Sequence, residues 1–405
     1  MSIPIRKELR SPLRYADYSL AVVAVLLSAI GVALNYSATW RVLEFNGQDP
    51  ATYAKRQILF VLIGILVMAG AAFLDYRLYR DFANQAYLLV MLALVGVLFF
   101  GVERNGARAW YEVPGLTFQI QPAEFAKVAV VVALAAFVAN QDGHLRLVTL
   151  SNAYLMLAVP LGLIYLQPDL GTMLVFVAIG MGVLLVAGAQ IKHIVVTTAI
   201  GLLVVVGVFN SDDLGGPALL RQTQEQRLTA FLDPAFDLQG ASYNINQSQI
   251  AIGAGGINGQ GWLKGTQTNL NLVPEQETDF IFTALGEEFG FVGVTVLLLL
   301  YAFLLARMWF ISRASSDLFG AFACVGALCM FTFQIFQNVG MTMGIMPITG
   351  IPLPFLSHGG SSTVVAFGLV GLVVNVSARR HLAKLIIKAL IIWKVASRAV
   401  SSALK

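Results

Sequence analysis

Three carboxylates lie close together immediately before a long apolar segment, at Glu275, Glu277 and Asp279. The polar stretch that carries them runs directly into this segment, which has the composition of a membrane helix, so the acids meet a membrane surface. A helix that begins near Asp279 carries three small residues on the same face: Thr283, Gly286 and Gly290. The pattern favours a close contact and makes Asp279 a candidate general base, although aspartate is also a favourable helix cap.

A second ionisable group is predicted inside the membrane, where Glu124 and Lys127 are about one helical turn apart. Gln121 and Pro122 come just before them, and proline suits the first position of a helix because its missing N–H costs nothing there. Charged groups inside a membrane helix are costly and therefore mark functional sites. The alternative is a salt bridge that only stabilises the entrance of the helix, and both interpretations can hold together.

Two further stretches combine prolines with polar groups. Residues 167–172 have the sequence Gln-Pro-Asp-Leu-Gly-Thr, and Asp169 is either part of a site wall or the cap of the next helix. Residues 346–362 contain three prolines, which forbid a regular helix, so this proline-rich loop must be held against protein or lipid headgroups. Ser357 and His358 in the loop are candidate site residues, with capping and packing as the alternative.

The elements that must position these groups are membrane helices. Of the 405 residues, 58% are hydrophobic and 12% are charged, and the mean hydropathy is +0.76, which is too apolar for a soluble protein of this length. The sequence predicts an all-α polytopic membrane protein with about ten transmembrane helices in a single domain, residues 1–380. The predicted spans lie near 18–40, 57–74, 86–102, 122–139, 151–166, 170–188, 192–209, 280–306, 317–343 and 361–378.

Basic residues predict the orientation of these spans, because Lys and Arg are retained on the cytoplasmic side. Four of them precede the first span, and the later inner segments are basic as well. The N- and C-termini are therefore predicted to be cytoplasmic, and the acidic loop 210–279, between helices 7 and 8, is predicted to be extracytoplasmic. The tail 381–405 is basic and amphipathic and is expected to lie on the inner leaflet. The sequence contains no pattern for binding nucleic acid and no His-based metal site.

Several of these stretches resemble, in the same order, the motifs of the SEDS family, the RodA and FtsW membrane glycosyltransferases that polymerise peptidoglycan strands. The run Pro-Glu-Gln-x-Thr-Asp-Phe-Ile-Phe at 274–282 is followed by Glu-Glu-Phe-Gly, and Asp279 stands where the family has the aspartate taken to be catalytic. The proline-rich loop is similar too, with His358 at a place often held by tyrosine. Residues that match the family's elements before and at the start of the fourth helix are Arg108, Trp110, Gln121, Pro122, Glu124 and Lys127.

The resemblance implies a peptidoglycan glycosyltransferase that polymerises lipid II into β-1,4 glycan strands during cell-wall elongation, with a nascent lipid-linked glycan as acceptor. Such a transfer inverts the sugar in one displacement, so it needs a base for the acceptor hydroxyl and positive charge at the leaving undecaprenyl pyrophosphate. Asp279 is the expected base. The candidates for contacting the substrate or its pyrophosphate are Arg108, Gln121, Glu124, Lys127, Thr278, Ser357 and His358.

The resemblance also implies partners and a location. We expect a class B penicillin-binding protein, which is a transpeptidase, and the elongation machinery as partners, with the protein in the cytoplasmic (inner) membrane and its active site facing outward. A divalent cation, Mg²⁺ or Mn²⁺, near Glu124 and Asp279 would also neutralise the pyrophosphate, and no organic cofactor is expected. The alternatives are a lipid II flippase, a division-specific polymerase of the FtsW type and a scaffold. The one-sided clustering of the charges favours the enzyme.

Overall fold

The computed structural model describes residues 12–104, 107–112, 119–141, 145–209, 222–232 and 240–380. The apolar helices in these residues are α1 (Tyr18–Phe45), α2 (Thr52–Phe73), α4 (Ala83–Phe100), α5 (Pro122–Ala139), α6 (Leu147–Tyr165), α7 (Leu170–Val186), α8 (Ile191–Phe209), α12 (Ile281–Ala314), α13 (Leu318–Thr342) and α14 (Gly360–Arg380). The other α-helices are α3 (Tyr76–Asp81), α9 (Gln222–Leu232), α10 (Ala241–Gly255) and α11 (Thr266–Asn269), and a 3-10 turn covers Pro12–Tyr15.

The predicted polytopic helical fold is confirmed. Eight of the described helices are long and apolar enough to cross a membrane, and two further apolar segments, in α7 and α8, are shorter. Each predicted span overlaps one of these ten helices, and the fourth, α5, has the predicted bounds with its proline in the first turn. The number of helices that cross, their orientation and the single domain stay predictions. The tail 381–405 lies outside the described residues.

Three short strands between α4 and α5 were not predicted. They are β1 (Val102–Arg104), β2 (Ala107–Glu112) and β3 (Gln119–Ile120), and they pair antiparallel in this order. Strands of this length leave no clear periodicity in a sequence. The Tyr111 hydroxyl donates to the Ala93 carbonyl at 2.9 Å, which ties the sheet to α4.

Helix α12 is interrupted at Gly290, whose φ of 61° lies outside the helical region. The interruption frees backbone groups on both sides, and such groups need partners inside a membrane protein. The loop that follows α10 supplies them. The Gln260 N–H donates to the Glu287 carbonyl at 3.0 Å, and the Phe291 N–H donates to the Gly256 carbonyl at 2.9 Å. The loop therefore closes the gap in the helix from both sides.

The centre of the bundle is formed by α5, α13 and α14. Most residues in the apolar stretches of these three helices are buried, whereas α2, α4 and α6 bury fewer than a third of theirs. A separate small cluster of buried apolar side chains joins α10 to the segment before α12, and it contains Ile245, Ala251, Val273, Phe280 and Ile348. Polar groups on α5 therefore face protein, and the segment before α12 is held in place by its own packing.

Candidate active site

Asp279 lies in a tight turn that ends where α12 begins. The N–H groups of Thr278 and Asp279 both donate to the Glu275 carbonyl, at 3.2 and 3.0 Å, and Glu275 has a φ of 53°. The helix begins at Ile281, later than expected, and its N-cap Phe280 makes no side-chain capping bond. Asp279 therefore does not cap α12, and the capping interpretation is wrong.

The proline-rich loop packs against this turn. The Asn338 amide on α13 donates to the carbonyls of both Asp279 and Ile351, each at 2.8 Å, so one buried side chain joins the two segments. Gly350 has a φ of 69°, and a Cβ there would lie 3.2 Å from Asp279 Oδ2 and 3.9 Å from a terminal nitrogen of Arg227. A glycine suits this place because it allows both the backbone conformation and the close approach.

The start of α7 reaches the same loop. A Cβ at Gly171 would lie 2.5 Å from the Thr349 carbonyl oxygen, so the glycine permits direct contact. Asp169 caps α7, because its carboxylate accepts from the Thr172 N–H at 2.9 Å and from the Thr172 hydroxyl at 2.7 Å. Gln121 Nε2 approaches this carboxylate at 3.5 Å from the beginning of α5. The helices α5 and α7 and the proline-rich loop thus meet beside the catalytic candidate.

The surroundings of Asp279 shift its acidity. Burial raises the pKa of this half-buried carboxyl to about 6 and is the largest effect. The positive charge of Arg227 and a hydrogen bond from Thr278 lower the pKa, whereas the negative charges of Glu275 and Asp169 raise it. A carboxyl with this pKa is ionised at neutral pH and is still basic enough to accept a proton during catalysis.

Arg227 on α9 supplies positive charge beside Asp279, and sequence reasoning missed it. In the sequence it is one of three basic residues among eight acids in the loop 210–279, and this isolation is the one signal that could have identified it. No periodicity relates a residue at 227 to one at 279. A guanidinium is well suited to a pyrophosphate because its donors match the phosphate oxygens.

Glu124 and Lys127 form the predicted pair on α5. Lys127 Nζ lies 2.6 Å from Glu124 Oε1, and both side chains are almost fully buried. The other carboxylate oxygen, Glu124 Oε2, is buried and has no hydrogen-bond partner among the described residues. Buried polar atoms in folded proteins usually have partners, so the salt bridge leaves one acceptor available to a ligand.

Ser357 and His358 hold the proline-rich loop in place. Ser357 Oγ accepts from a backbone N–H of the same loop at 2.8 Å, and the His358 N–H donates to the Glu277 carbonyl at 2.8 Å. The His358 ring packs against Tyr53, with ring centres 5.0 Å apart. Burial, and to a lesser extent the charge of Arg56, lower the pKa of His358 to about 4, so the imidazole is neutral. The backbone of His358 joins the loop to the segment that contains Asp279.

Arg108 is exposed on β2, and its guanidinium lies 3.7 Å from the Glu103 carboxylate across the sheet. In the described part of the chain, no hydrogen bond or ion pair joins Arg108 to Asp279. Its expected role in binding the substrate stays a prediction. Thr278, by contrast, is adjacent to Asp279 and hydrogen-bonds to it.

In the described part of the chain, the side chains around Glu124 and Asp279 do not form a metal site from protein ligands alone. The described residues contain no group of three or more His, Cys, Asp or Glu side chains that could hold a metal ion. Glu124 is paired with Lys127, and Asp279 lies beside the positive charge of Arg227. The Mg²⁺ or Mn²⁺ ion expected near Glu124 and Asp279 stays a prediction.

The small residues after Asp279 make a close contact, and their partner is the chain itself. A Cβ at Gly255 on α10 would lie 2.9 Å from the carbonyl carbon of Gly286, and a Cβ at Gly290 would lie 2.7 Å from the Ile257 carbonyl oxygen. The glycines of α12 thus accommodate α10 and the loop that follows it.

Fold and site together define a polytopic membrane protein in which a half-buried aspartate and an arginine meet at the base of a long loop, a combination suited to removing a proton beside an anionic group. The family model for FtsW, RodA and SpoVE, described as "Cell cycle protein", matches residues 17–382. The chain therefore belongs to this family, as its motifs predicted.

Similar curated proteins carry names that agree with this assignment. Stage V sporulation protein E of Bacillus subtilis (strain 168) is 37% identical over 372 residues, which cover 89% of this chain and 96% of that protein. The peptidoglycan glycosyltransferase MrdB of Escherichia coli (strain K12) is 35% identical over 340 residues, which cover 83% and 88%. The predicted glycosyltransferase class is confirmed.

Two solved structures are similar over most of the chain. One is described as "Structural coordination of polymerization and crosslinking by a peptidoglycan synthase complex", with a TM-score of 0.75, 30% identity and coverage of 90% of this chain and 98% of the other. The other is the rod shape determining protein RodA of Thermus thermophilus, with a TM-score of 0.66, 29% identity and coverage of 90% and 97%.

Proposed function

We propose that this chain polymerises lipid II, joining the sugars by β-1,4 bonds with Asp279 as the general base and undecaprenyl pyrophosphate as the leaving group. The observation that carries the proposal is the half-buried Asp279 carboxyl, whose pKa is raised to about 6, beside the guanidinium of Arg227. One group can accept a proton and the other can stabilise an anion.

In the proposed reaction, Asp279 takes the proton of the acceptor 4-hydroxyl while that oxygen attacks the anomeric carbon of the donor. The bond from this carbon to the pyrophosphate oxygen breaks on the opposite face, so the α-linked sugar becomes β-linked. The bonding electrons leave with the pyrophosphate, where positive charge stabilises them. Arg227 is the cation that acts on Asp279 among the described residues, and Lys127 and Arg108 are further candidates along the path of the leaving group.

The remaining acceptor groups around the site fit a large polar substrate. Gln121 and Thr278 flank the carboxylates of Asp169 and Asp279, and Glu124 Oε2 is unpaired. We assign these groups to binding the sugars of lipid II and of the nascent lipid-linked glycan. Ser357 and His358 act through the loop that they hold against the Asp279 turn.

The proposal includes a location and partners. The site faces outward from the cytoplasmic (inner) membrane, where the lipid-linked substrate would be presented. A similar structure is described as a complex that coordinates polymerisation with crosslinking, which supports a class B penicillin-binding protein as partner. Similarity to a rod shape determining protein supports the elongation machinery as a further partner.

The test is the yield and length of glycan strands from purified protein and lipid II, with and without the transpeptidase. Asp279→Asn keeps the shape of the side chain but cannot accept the proton, so polymerisation should fall by about 10² or more at unchanged thermal stability. The wild-type rate should also fall as the pH drops through about 6, because Asp279 becomes protonated.

Glu44→Gln, which changes an exposed carboxylate at the end of α1, is the matched control and should be fully active. Near-normal strands from Asp279→Asn would exclude it as the base. Translocation of lipid II without strand formation by the wild-type protein would favour the flippase instead.

A further inference from the structure

Glu287 is fully buried on α12, and its carboxylate accepts three hydrogen bonds from one short segment. Glu287 Oε1 accepts from the Gln267 N–H at 2.7 Å, and Oε2 accepts from the Thr268 N–H at 3.0 Å and from the Thr268 hydroxyl at 2.7 Å. A Cβ at Gly265 would lie 2.6 Å from Oε2, so the glycine before α11 allows the carboxylate to approach. The proposed reaction does not use this group.

The bonds continue from Glu287 toward the turn that contains Asp279. Because the Thr268 hydroxyl gives its one proton to Glu287, its oxygen must act as an acceptor, and Gln276 Nε2 donates to it at 3.1 Å. The same nitrogen donates to Thr283 Oγ1 at 2.9 Å. Gln276 is almost fully buried and precedes Asp279 by three residues, so this network fixes the catalytic turn from its buried side.

The neighbouring acid, Glu288, provides a comparison within the same helix. It is almost as buried as Glu287, and it anchors the same loop by accepting from the Leu263 N–H at 3.1 Å and from the Ser37 hydroxyl. None of its described bonds leads to Gln276. The two acids therefore hold the same loop, but only Glu287 is connected to the turn that contains Asp279.

We propose that Glu287 is a positioning residue for Asp279, acting through Thr268 and Gln276. The inference rests on the proposed function, because it takes Asp279 as the reacting group. A carboxylate is needed at this place, since a glutamine would set its NH₂ group against one of the donors that the carboxylate accepts. A shift of the turn by about 1 Å is enough to cost a large factor in rate, because proton removal requires exact placement of the base.

The experiment compares kcat and KM for lipid II in purified variants of the full chain. Thr268→Val removes the relaying hydroxyl while keeping the branched shape, and Gln276→Met removes the amide. We expect Glu287→Gln, Thr268→Val and Gln276→Met each to lower kcat by about ten- to a hundredfold with KM unchanged. In the double variant Glu287→Gln with Gln276→Met, kcat should fall no further than in the more impaired of the two single variants, because the residues act as one unit.

Glu288→Gln is the control and should keep the wild-type kcat. The inference is overturned if Thr268→Val has normal kcat, or if Glu288→Gln loses as much as Glu287→Gln. If Glu287→Gln does not fold, the kcat values of Thr268→Val and Gln276→Met are sufficient to test the positioning role. Asp279→Asn separates the two claims: normal turnover in that variant removes the proposed function and this inference with it, whereas an inactive Asp279→Asn beside a normal Thr268→Val refutes only the positioning role.

Discussion

The acids around the site differ in what their surroundings leave them free to do. Asp169 uses its carboxylate to cap α7, and Glu275 is exposed and accepts at its carbonyl oxygen. Asp279 is half-buried, caps no helix and has its pKa raised to about 6, chiefly by burial. Residue type alone would not distinguish these three carboxylates, and the environment makes Asp279 the candidate base among them.

Glu124 and Lys127 are expected to combine a structural and a functional role. Removing one partner leaves the other buried without a counter-charge, which costs up to about 3–5 kcal/mol. Glu124→Gln and Lys127→Met should therefore each lower the melting temperature. The double variant should regain much of this stability because no unpaired charge remains, but it should not regain strand synthesis.

The measurements are thermal unfolding in one detergent and glycan-strand yield for the three variants. The exposed pair formed by Lys55 and Asp49 offers a control, since Lys55→Met should change neither property by much. Recovery of both stability and synthesis in the double variant would mean that the pair only stabilises α5 and has no role in strand synthesis.

The interrupted helix α12 is the element that unites the site with the long loop. Backbone carbonyls of α12 accept hydrogen bonds from the loop after α10, and the Phe291 N–H of α12 donates to a carbonyl at the start of that loop. Irregular backbone at membrane depth is stable only where protein satisfies its polar groups. The glycines at Gly255, Gly286 and Gly290 make this insertion sterically possible.

Two glycines of α10 should respond differently to alanine. A Cβ at Gly255 would lie 3.0 Å from Glu287 Cα, whereas a Cβ at Gly253 meets nothing within 4 Å. Gly255→Ala should therefore push α10 away from α12, lowering both thermal stability and strand synthesis. Gly253→Ala should leave synthesis unchanged and stabilise the helix by about 0.5–1 kcal/mol.

Melting temperature and strand yield, measured side by side, check this pair. The two variants make the same substitution in the same helix, so a general effect of alanine would appear in both. Equal behaviour of Gly255→Ala and Gly253→Ala would contradict the proposed contact.

The orientation of the molecule decides whether the site can meet a substrate presented outside the cell. The basic inner segments predict that the end of α1 is outside and that α3 is inside. Glu44 and Asp81 are exposed at these two places. In a background with Cys324→Ala and Cys329→Ala, a membrane-impermeant thiol reagent should label Glu44→Cys in intact cells and Asp81→Cys only after permeabilisation.

Cell growth supported by each variant shows that the labelled protein is functional. Labelling of Asp81→Cys in intact cells would reverse the topology. It would also place Asp279, which belongs to the same side as the end of α1, in the cytoplasm.

Local features of the site follow directly from the sequence. Apolar length locates the ten helices, with ends that differ from the prediction by at most eight residues, and Pro122 marks the start of α5. The contact of Glu124 with Lys127 is also predictable, because residues three apart on a helix are neighbours wherever that helix lies. Such features depend only on one continuous segment of the chain and on whether water or membrane surrounds it.

Other features depend on how distant segments pack. Three such features are the approach of Arg227 to Asp279, the cap supplied by Glu287 to α11 and the insertion of the loop into the break at Gly290. Each joins residues that are 19 or more positions apart in the sequence. Periodicity carries no information about such pairs, since each is set by the angles and depths at which the helices meet. The motif was therefore enough to predict Asp279 as the candidate base, whereas the arginine beside it and the hydrogen-bond network behind it required the folded chain.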